Sequence, residues 1–104
     1  MHCGSDTNES VRKAENVVPD IASRFGILRV YLFGSRSRGD NKEDSDYDFL
    51  ILCPDGMKLC TLANFMDELR RALGNEVDFA YEDFASKHFM SRISPDLRLI
   101  YEQG

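Results

Sequence analysis

A chain of 104 residues with a formal net charge of −5 is long enough for one small hydrophobic core and little more. The acidic balance argues against a general polyanion-binding surface, where a basic footprint is expected, so no direct nucleic-acid partner is expected. No apolar run approaches the roughly 20 residues that span a bilayer, and the polar start Met1-His2-Cys3-Gly4-Ser5-Asp6 carries no leader or anchor pattern, so no membrane partner is expected either.

Residues 1–8 are expected to be disordered and residues 9–104 to form one domain. Val11, Ala14, Val18, Ile21 and Phe25 recur at three- and four-residue spacing, which makes one face of a helix. The phase runs on across Pro19, predicting a kinked helix or two helices broken there, with Gly26 as the stop. Ile27 to Phe33 reads as a strand, Ser35 to Gly39 as a short helix, Asp40 to Ser45 as a polar, mobile loop and Asp46 to Cys53 as a second strand. Pro54-Asp55-Gly56 is a turn. Leu59, Leu62, Phe65, Met66, Leu69 and Leu73 form the core stripe of an amphipathic helix that ends near Gly74. Glu76 to Tyr81 is a third strand. Asp83 is the expected cap of a further helix, with Phe84, His88 and Ile93 on or near one side. Ser94-Pro95-Asp96 turns the chain, and Leu97 to Tyr101 is a fourth strand or a helical end. Strands alternating with helices in so short a chain predict an α+β fold, a single small mixed β-sheet with helices packed on it. Cys3, Cys53 and Cys60 are odd in number and lack C-x-x-C spacing, which points to a reducing, cytoplasmic setting rather than a disulfide framework. His2 and His88 have no plausible zinc ligands around them in sequence.

The chemistry concentrates in one stretch. The apolar run Val30-Tyr31-Leu32-Phe33 ends in Gly34-Ser35, and ten residues later Asp46-Tyr47-Asp48 opens the apolar run Phe49-Leu50-Ile51. Side chains on a strand alternate, so Asp46 and Asp48 face the same way. Two carboxylates side by side are costly unless a cation sits between them. Mg²⁺ takes oxygen ligands, usually one or two carboxylates plus substrate phosphates. Two such ions about 3.5–4 Å apart can clamp the attacking and leaving oxygens of an in-line displacement. Gly34 lets backbone approach a phosphate closely, and amides at the start of a helix opened by Ser35 point at the anion. A third carboxylate, Asp78, interrupts the apolar stretch Val77-Asp78-Phe79. Arg36, Arg38 and Lys42, between Gly-Ser and Asp-x-Asp, are the cations available to a triphosphate, Arg38 foremost. A lone Gly-Ser is a turn and a lone Asp-x-Asp is a solvated strand end. The combination, embedded in runs that must be buried, is far more specific than either part.

Gly34, Ser35, Asp46, Asp48 and Asp78 resemble the signature of the DNA polymerase beta-like nucleotidyltransferase superfamily, most closely its minimal, antitoxin-like members. The resemblance covers nearly the whole chain, including the order of helices and strands, and so implies a nucleotidyltransferase fold. It further implies that Asp46 and Asp48 bind two Mg²⁺ ions, and that Asp78 binds the ion at the nucleophile and helps activate it. Gly34 and Ser35 would hold the triphosphate of ATP or another NTP. Small members of this kind act as antitoxins for a helical HEPN-type ribonuclease toxin and can move AMP from ATP to a tyrosine of it. With no second domain to hold a large acceptor, a partner chain presenting a tyrosine hydroxyl is the leading expectation. A small-molecule acceptor and a non-catalytic antitoxin that works by contact alone are the alternatives.

Overall fold

The computed structural model describes residues 8–104. The expected disorder of residues 1–7 lies outside that range, and Asn8 departs from it. Its side chain accepts from the Val11 amide at 3.1 Å and so caps helix α1, Glu9–Phe25. Pro19 neither ends nor divides this helix. The donor that proline lacks would have met the carbonyl of Glu15, an exposed residue, where water can take its place. The helix stops at Gly26, which takes φ 75°, and the Ile27 amide reaches back to the Ala22 carbonyl at 3.0 Å.

Four strands complete the frame: β1 Arg29–Phe33, β2 Tyr47–Leu52, β3 Val77–Tyr81 and β4 Arg98–Glu102. They form one sheet in the order β3-β2-β1-β4, so the fold is the expected α+β arrangement on a single mixed sheet. β1 pairs antiparallel with both β2 and β4, while β2 and β3 are parallel. A parallel pair needs a crossover. Helix α3, Leu59–Leu73, supplies it and ends at Gly74 with φ 76°. The C-terminal residues settle as a strand because β1 offers them an open edge.

Alternation gives the sheet two unlike faces. Val30, Leu32, Tyr47, Phe49, Ile51 and Val77 are buried together with Ala14, Val18 and Ile21 of α1 and Phe65, Leu69 and Leu73 of α3. Each Val, Leu, Ile or Phe side chain among them contributes about 1.5–3 kcal/mol on full burial. Phe65 anchors the centre, its ring 5.7 Å from Phe25 and 5.5 Å from Phe79. Leu59 departs from the expected stripe. It lies in the first turn of α3 and is 83% exposed.

The second face carries the register rows Phe33–Asp48–Asp78 and Tyr31–Leu50–Ala80. Its cover is partial: a 3-10 turn at Glu82–Phe84, a short helix Lys87–Ile93, which completes a set of α1, α3 and two shorter helices, and a second 3-10 turn at Ser94–Asp96. The cap of the Lys87–Ile93 helix is Ser86, whose hydroxyl accepts from the Phe89 amide at 3.0 Å, rather than Asp83. Ala85 is extended between the two, so Asp83 and the 86% exposed Phe84 belong to the preceding turn. Phe89 packs edge-on against Phe33 at 5.9 Å. Arg29 binds Glu82 at 2.9 Å and Glu102 at 3.0 Å, pinning the turn and the end of β4 to the sheet.

Candidate active site

Where β1 ends, Gly34 takes φ 79° and ψ −162°, a region open essentially to glycine alone. A Cβ built there would collide with Asp48 Oδ2 and lie 3.3 Å from its Cγ. Gly34 therefore lets the main chain pass directly against the Asp48 carboxylate. The chain then enters helix α2, Ser35–Arg38, which the Gly39 turn closes at φ 86°. The amides of Ser37 and Arg38 return to the Gly34 carbonyl at 3.0 and 3.1 Å. The Ser35 and Arg36 amides stand at the helix start, where no intrahelical acceptor reaches them.

Asp48 and Asp78 are register partners on parallel neighbours, strands that lie about 4.8 Å apart. Asp46 precedes β2 by one residue and is exposed, as is Asp78, while Asp48 is half-buried. Burial pushes the Asp48 carboxyl above the ordinary aspartate value, with Asp78 and then Asp46 adding to it and Arg38 acting against. Asp46 and Asp78 thus both act on Asp48 at one end of the second face. Sequence spacing brought the pair Asp46 and Asp48 into view. Asp78, the third carboxylate expected from the sequence, comes beside Asp48 through a register that spacing does not reveal.

Arg38 is half-exposed beside them, its Nε donating to Asp40 at 3.0 Å and its Nη1 to Asp96 at 2.7 Å. Arg36 corrects the expectation of a phosphate ligand. It is only 6% exposed, and its guanidinium donates to the carbonyls of Ser45 at 2.9 Å and Glu43 at 2.8 Å and to the Ser10 hydroxyl at 3.0 Å. It also stacks 4.2 Å above the Tyr47 ring. Its donors hold the 40–45 loop, and it faces away from the carboxylates, on the core side where Tyr47 points. Lys42 is an exposed loop residue whose carbonyl accepts from Arg36 at 3.4 Å.

Sequence reasoning missed the residues that fix α2. Asn8 Nδ2 donates to the carbonyls of Arg36 at 2.9 Å and Ser37 at 3.2 Å. The buried Ser37 hydroxyl donates to the Asp96 carbonyl, and Arg98 Nε donates to the Ser37 carbonyl at 3.1 Å. Asn75 Nδ2 holds the loop through the Glu43 carbonyl at 2.8 Å. An asparagine ahead of an apolar helix signals a cap; nothing local signals its second task. A cavity of about 560 Å³ lies behind this loop, lined by Asn8, Lys13, Arg36, Tyr47 and Asn75 among others. It belongs to the rear of the loop and not to the carboxylates.

Residues 15–104 match the polymerase beta nucleotidyltransferase family. The chain belongs to that family. It is 39% identical over 71 residues to MJ0435 of Methanocaldococcus jannaschii, provisionally named a protein adenylyltransferase, covering 68% of this chain and 72% of that one. A solved structure provisionally assigned as a minimal nucleotidyltransferase is 30% identical, with a TM-score of 0.74, over 91% of this chain and 98% of that one. A chain in the structure of a tri-AMPylated Shewanella oneidensis HEPN toxin in complex with MNT antitoxin shares the fold. Its TM-score is 0.65 at 20% identity, over 89% of this chain and 73% of that one.

The family generally uses a divalent metal ion. Here the donors are all carboxylates, the ligands a hard cation takes. Among the described residues no three carboxylate, histidine or cysteine side chains are gathered closely enough to hold a metal by themselves. A nucleotidyltransferase ion that completes its shell with substrate phosphates does not require such a cage. Burial is the main reason the Asp48 carboxyl is raised, but Asp78 and Asp46 add to it, and that gathering of carboxylates fits a cation.

Proposed function

We propose that this nucleotidyltransferase moves AMP from ATP to a tyrosine hydroxyl on a HEPN-type toxin partner and so serves as its antitoxin. The observation that carries the reading is the Asp48–Asp78 pairing on adjacent strands, with Gly34 laid against the Asp48 carboxylate. The names of the relatives, a protein adenylyltransferase and an antitoxin complexed with an AMPylated toxin, support a toxin as acceptor; the tyrosine comes from the family resemblance.

Asp46 and Asp48 would hold Mg²⁺ together with the triphosphate, and Asp78 would join them at the side of the acceptor. When bound, the two ions neutralise the phosphates and lower the proton affinity of the attacking hydroxyl. Gly34 and Ser35 border the phosphates through backbone amides, and Arg38 adds a charge-assisted contact. The tyrosine oxygen attacks the α-phosphorus and the bond to the β,γ-pyrophosphate breaks. Asp78 receives the hydroxyl proton, and pyrophosphate leaves.

The test is co-incubation of the chain with a candidate HEPN-type toxin, Mg²⁺ and each NTP in turn, followed by intact-mass measurement of both proteins. The expected result is a gain of AMP on the toxin with ATP, absent when Asp46 and Asp48 are both asparagine. A toxin that binds and is silenced without gaining mass would instead establish antitoxin action by contact alone.

A further inference from the structure

Asp96 reaches the phosphate loop from the far end of the chain. It closes the 3-10 turn Ser94–Asp96, and it touches two consecutive residues of α2. Its carbonyl accepts from the Ser37 hydroxyl, and its Oδ2 accepts from Arg38 Nη1 at 2.7 Å. We propose that Asp96 is a positioning residue for the nucleotide, which sets the Arg38 guanidinium at the height of the bound phosphates. The proposal rests on the reading of Arg38 as a phosphate contact.

The two partners of Arg38 differ in kind. Asp40 is 61% exposed and two residues away, so its pair with Arg38 is the weak, solvent-screened sort. Asp96 is only 16% exposed and is fixed through its own backbone to the buried Ser37. The shielded carboxylate therefore decides where the guanidinium rests. A guanidinium has five N–H donors, and these two bonds use two, leaving donors for a phosphate without releasing either carboxylate. An arginine side chain left unheld loses this order to its many rotamers.

The experiment measures binding of a non-hydrolysable ATP analogue with Mg²⁺ by calorimetry, so it requires no acceptor. The variants are Asp96→Asn, Asp96→Glu, Arg38→Ala and the double Arg38→Ala/Asp96→Asn. Asparagine keeps the backbone carbonyl that Ser37 uses, so melting temperatures run alongside are expected to stay close to wild type. Asp96→Asn is expected to weaken binding by about tenfold, the scale of one charge-assisted contact. Asp96→Glu is expected to recover most of that loss. In the Arg38→Ala background Asp96→Asn is expected to change affinity by less than about twofold, because coupled residues are not additive. Wild-type affinity in Asp96→Asn beside a weakened Arg38→Ala overturns the role of Asp96 and leaves that of Arg38 standing. Wild-type affinity in Arg38→Ala removes the reading beneath it. An equal loss from Asp96→Asn with and without Arg38, or an early-melting Asp96→Asn that Asp96→Glu does not repair, shows that Asp96 only holds the fold.

Discussion

At Gly34 the main chain runs so close to the Asp48 carboxylate that any side chain would displace it, and the backbone sits where only glycine is unstrained. Gly34→Ala is therefore expected to destabilise the protein by about 1–3 kcal/mol through the backbone alone. It should also abolish Mg²⁺-dependent nucleotide binding, because Asp48 must move. Denaturant unfolding and calorimetry check the two effects; a variant that binds normally would detach the glycine from the site. Asp48 itself sets a pH dependence. Its folded carboxyl holds a proton more tightly than the unfolded one, chiefly because it is buried. Below the ordinary carboxylate range both states are protonated and the group contributes nothing. As pH rises past the unfolded value and through the raised folded one, the ionised carboxylate destabilises the metal-free fold, and fully so above it. Asp48→Asn is thus expected to melt higher than wild type at pH 7 without metal, with the gain vanishing near pH 3. A lower melting point at pH 7 would mean that the carboxylate holds the fold together rather than straining it. The glycine and the two aspartates of Asp-x-Asp were legible in the sequence because their chemistry is tied to short spacing. The collision that links Gly34 to Asp48 was not, because it depends on how β1 and β2 lie side by side.

The elements around the site divide in the same way. The helical stripes of α1 and α3 and the alternation of the strands are local patterns, and the structure keeps to them except at their ends. Leu59 marks the end of one stripe, and Ser86 takes over the cap expected of Asp83. The contacts that fix α2 are not local. Asn8 acts across 28 residues and Asp96 across 59, and no pattern in a single sequence reports such pairs. Loop position alone misassigns Arg36 for the same reason. It lies between the motif halves as Arg38 does, yet it is buried and bonded to the loop it precedes. Arg36→Ala is expected to destabilise the fold by about 2–4 kcal/mol, since it takes the guanidinium donor from the Ser45 carbonyl and the buried Ser10 hydroxyl and removes the stack on Tyr47. Arg36→Lys is expected to recover little of this, as a single ammonium cannot match a planar fork. Denaturant midpoints decide the point. An unchanged midpoint with weakened nucleotide binding would restore Arg36 as a phosphate ligand.

On the scale of the molecule, the sheet order places the three carboxylates unequally. β3 is an edge strand, so Asp78 stands at the rim and is exposed, while Asp48 lies one strand further in and is half-buried. The inner carboxylate is the one pressed against the Gly34 turn, the proposed seat of the phosphates. The outer one faces whatever approaches from solution. Exposed on an edge strand, Asp78 is open to solution, which suits an acceptor carried on a second protein. The proposed division of labour follows from this placement: Asp48 would serve nucleotide binding and Asp78 the chemical step. Asp78→Asn is expected to bind the ATP analogue within about twofold of wild type, because in the proposed site the triphosphate is held through the cation at Asp46 and Asp48. With the toxin present it is expected to slow AMP transfer by about 10²–10⁴-fold, the usual contribution of a positioned base. Single-turnover transfer at saturating ATP separates the two effects. If Asp78→Asn instead binds nucleotide poorly and transfers at the normal rate once saturated, Asp78 belongs with the nucleotide, and the acceptor must reach the site from another side.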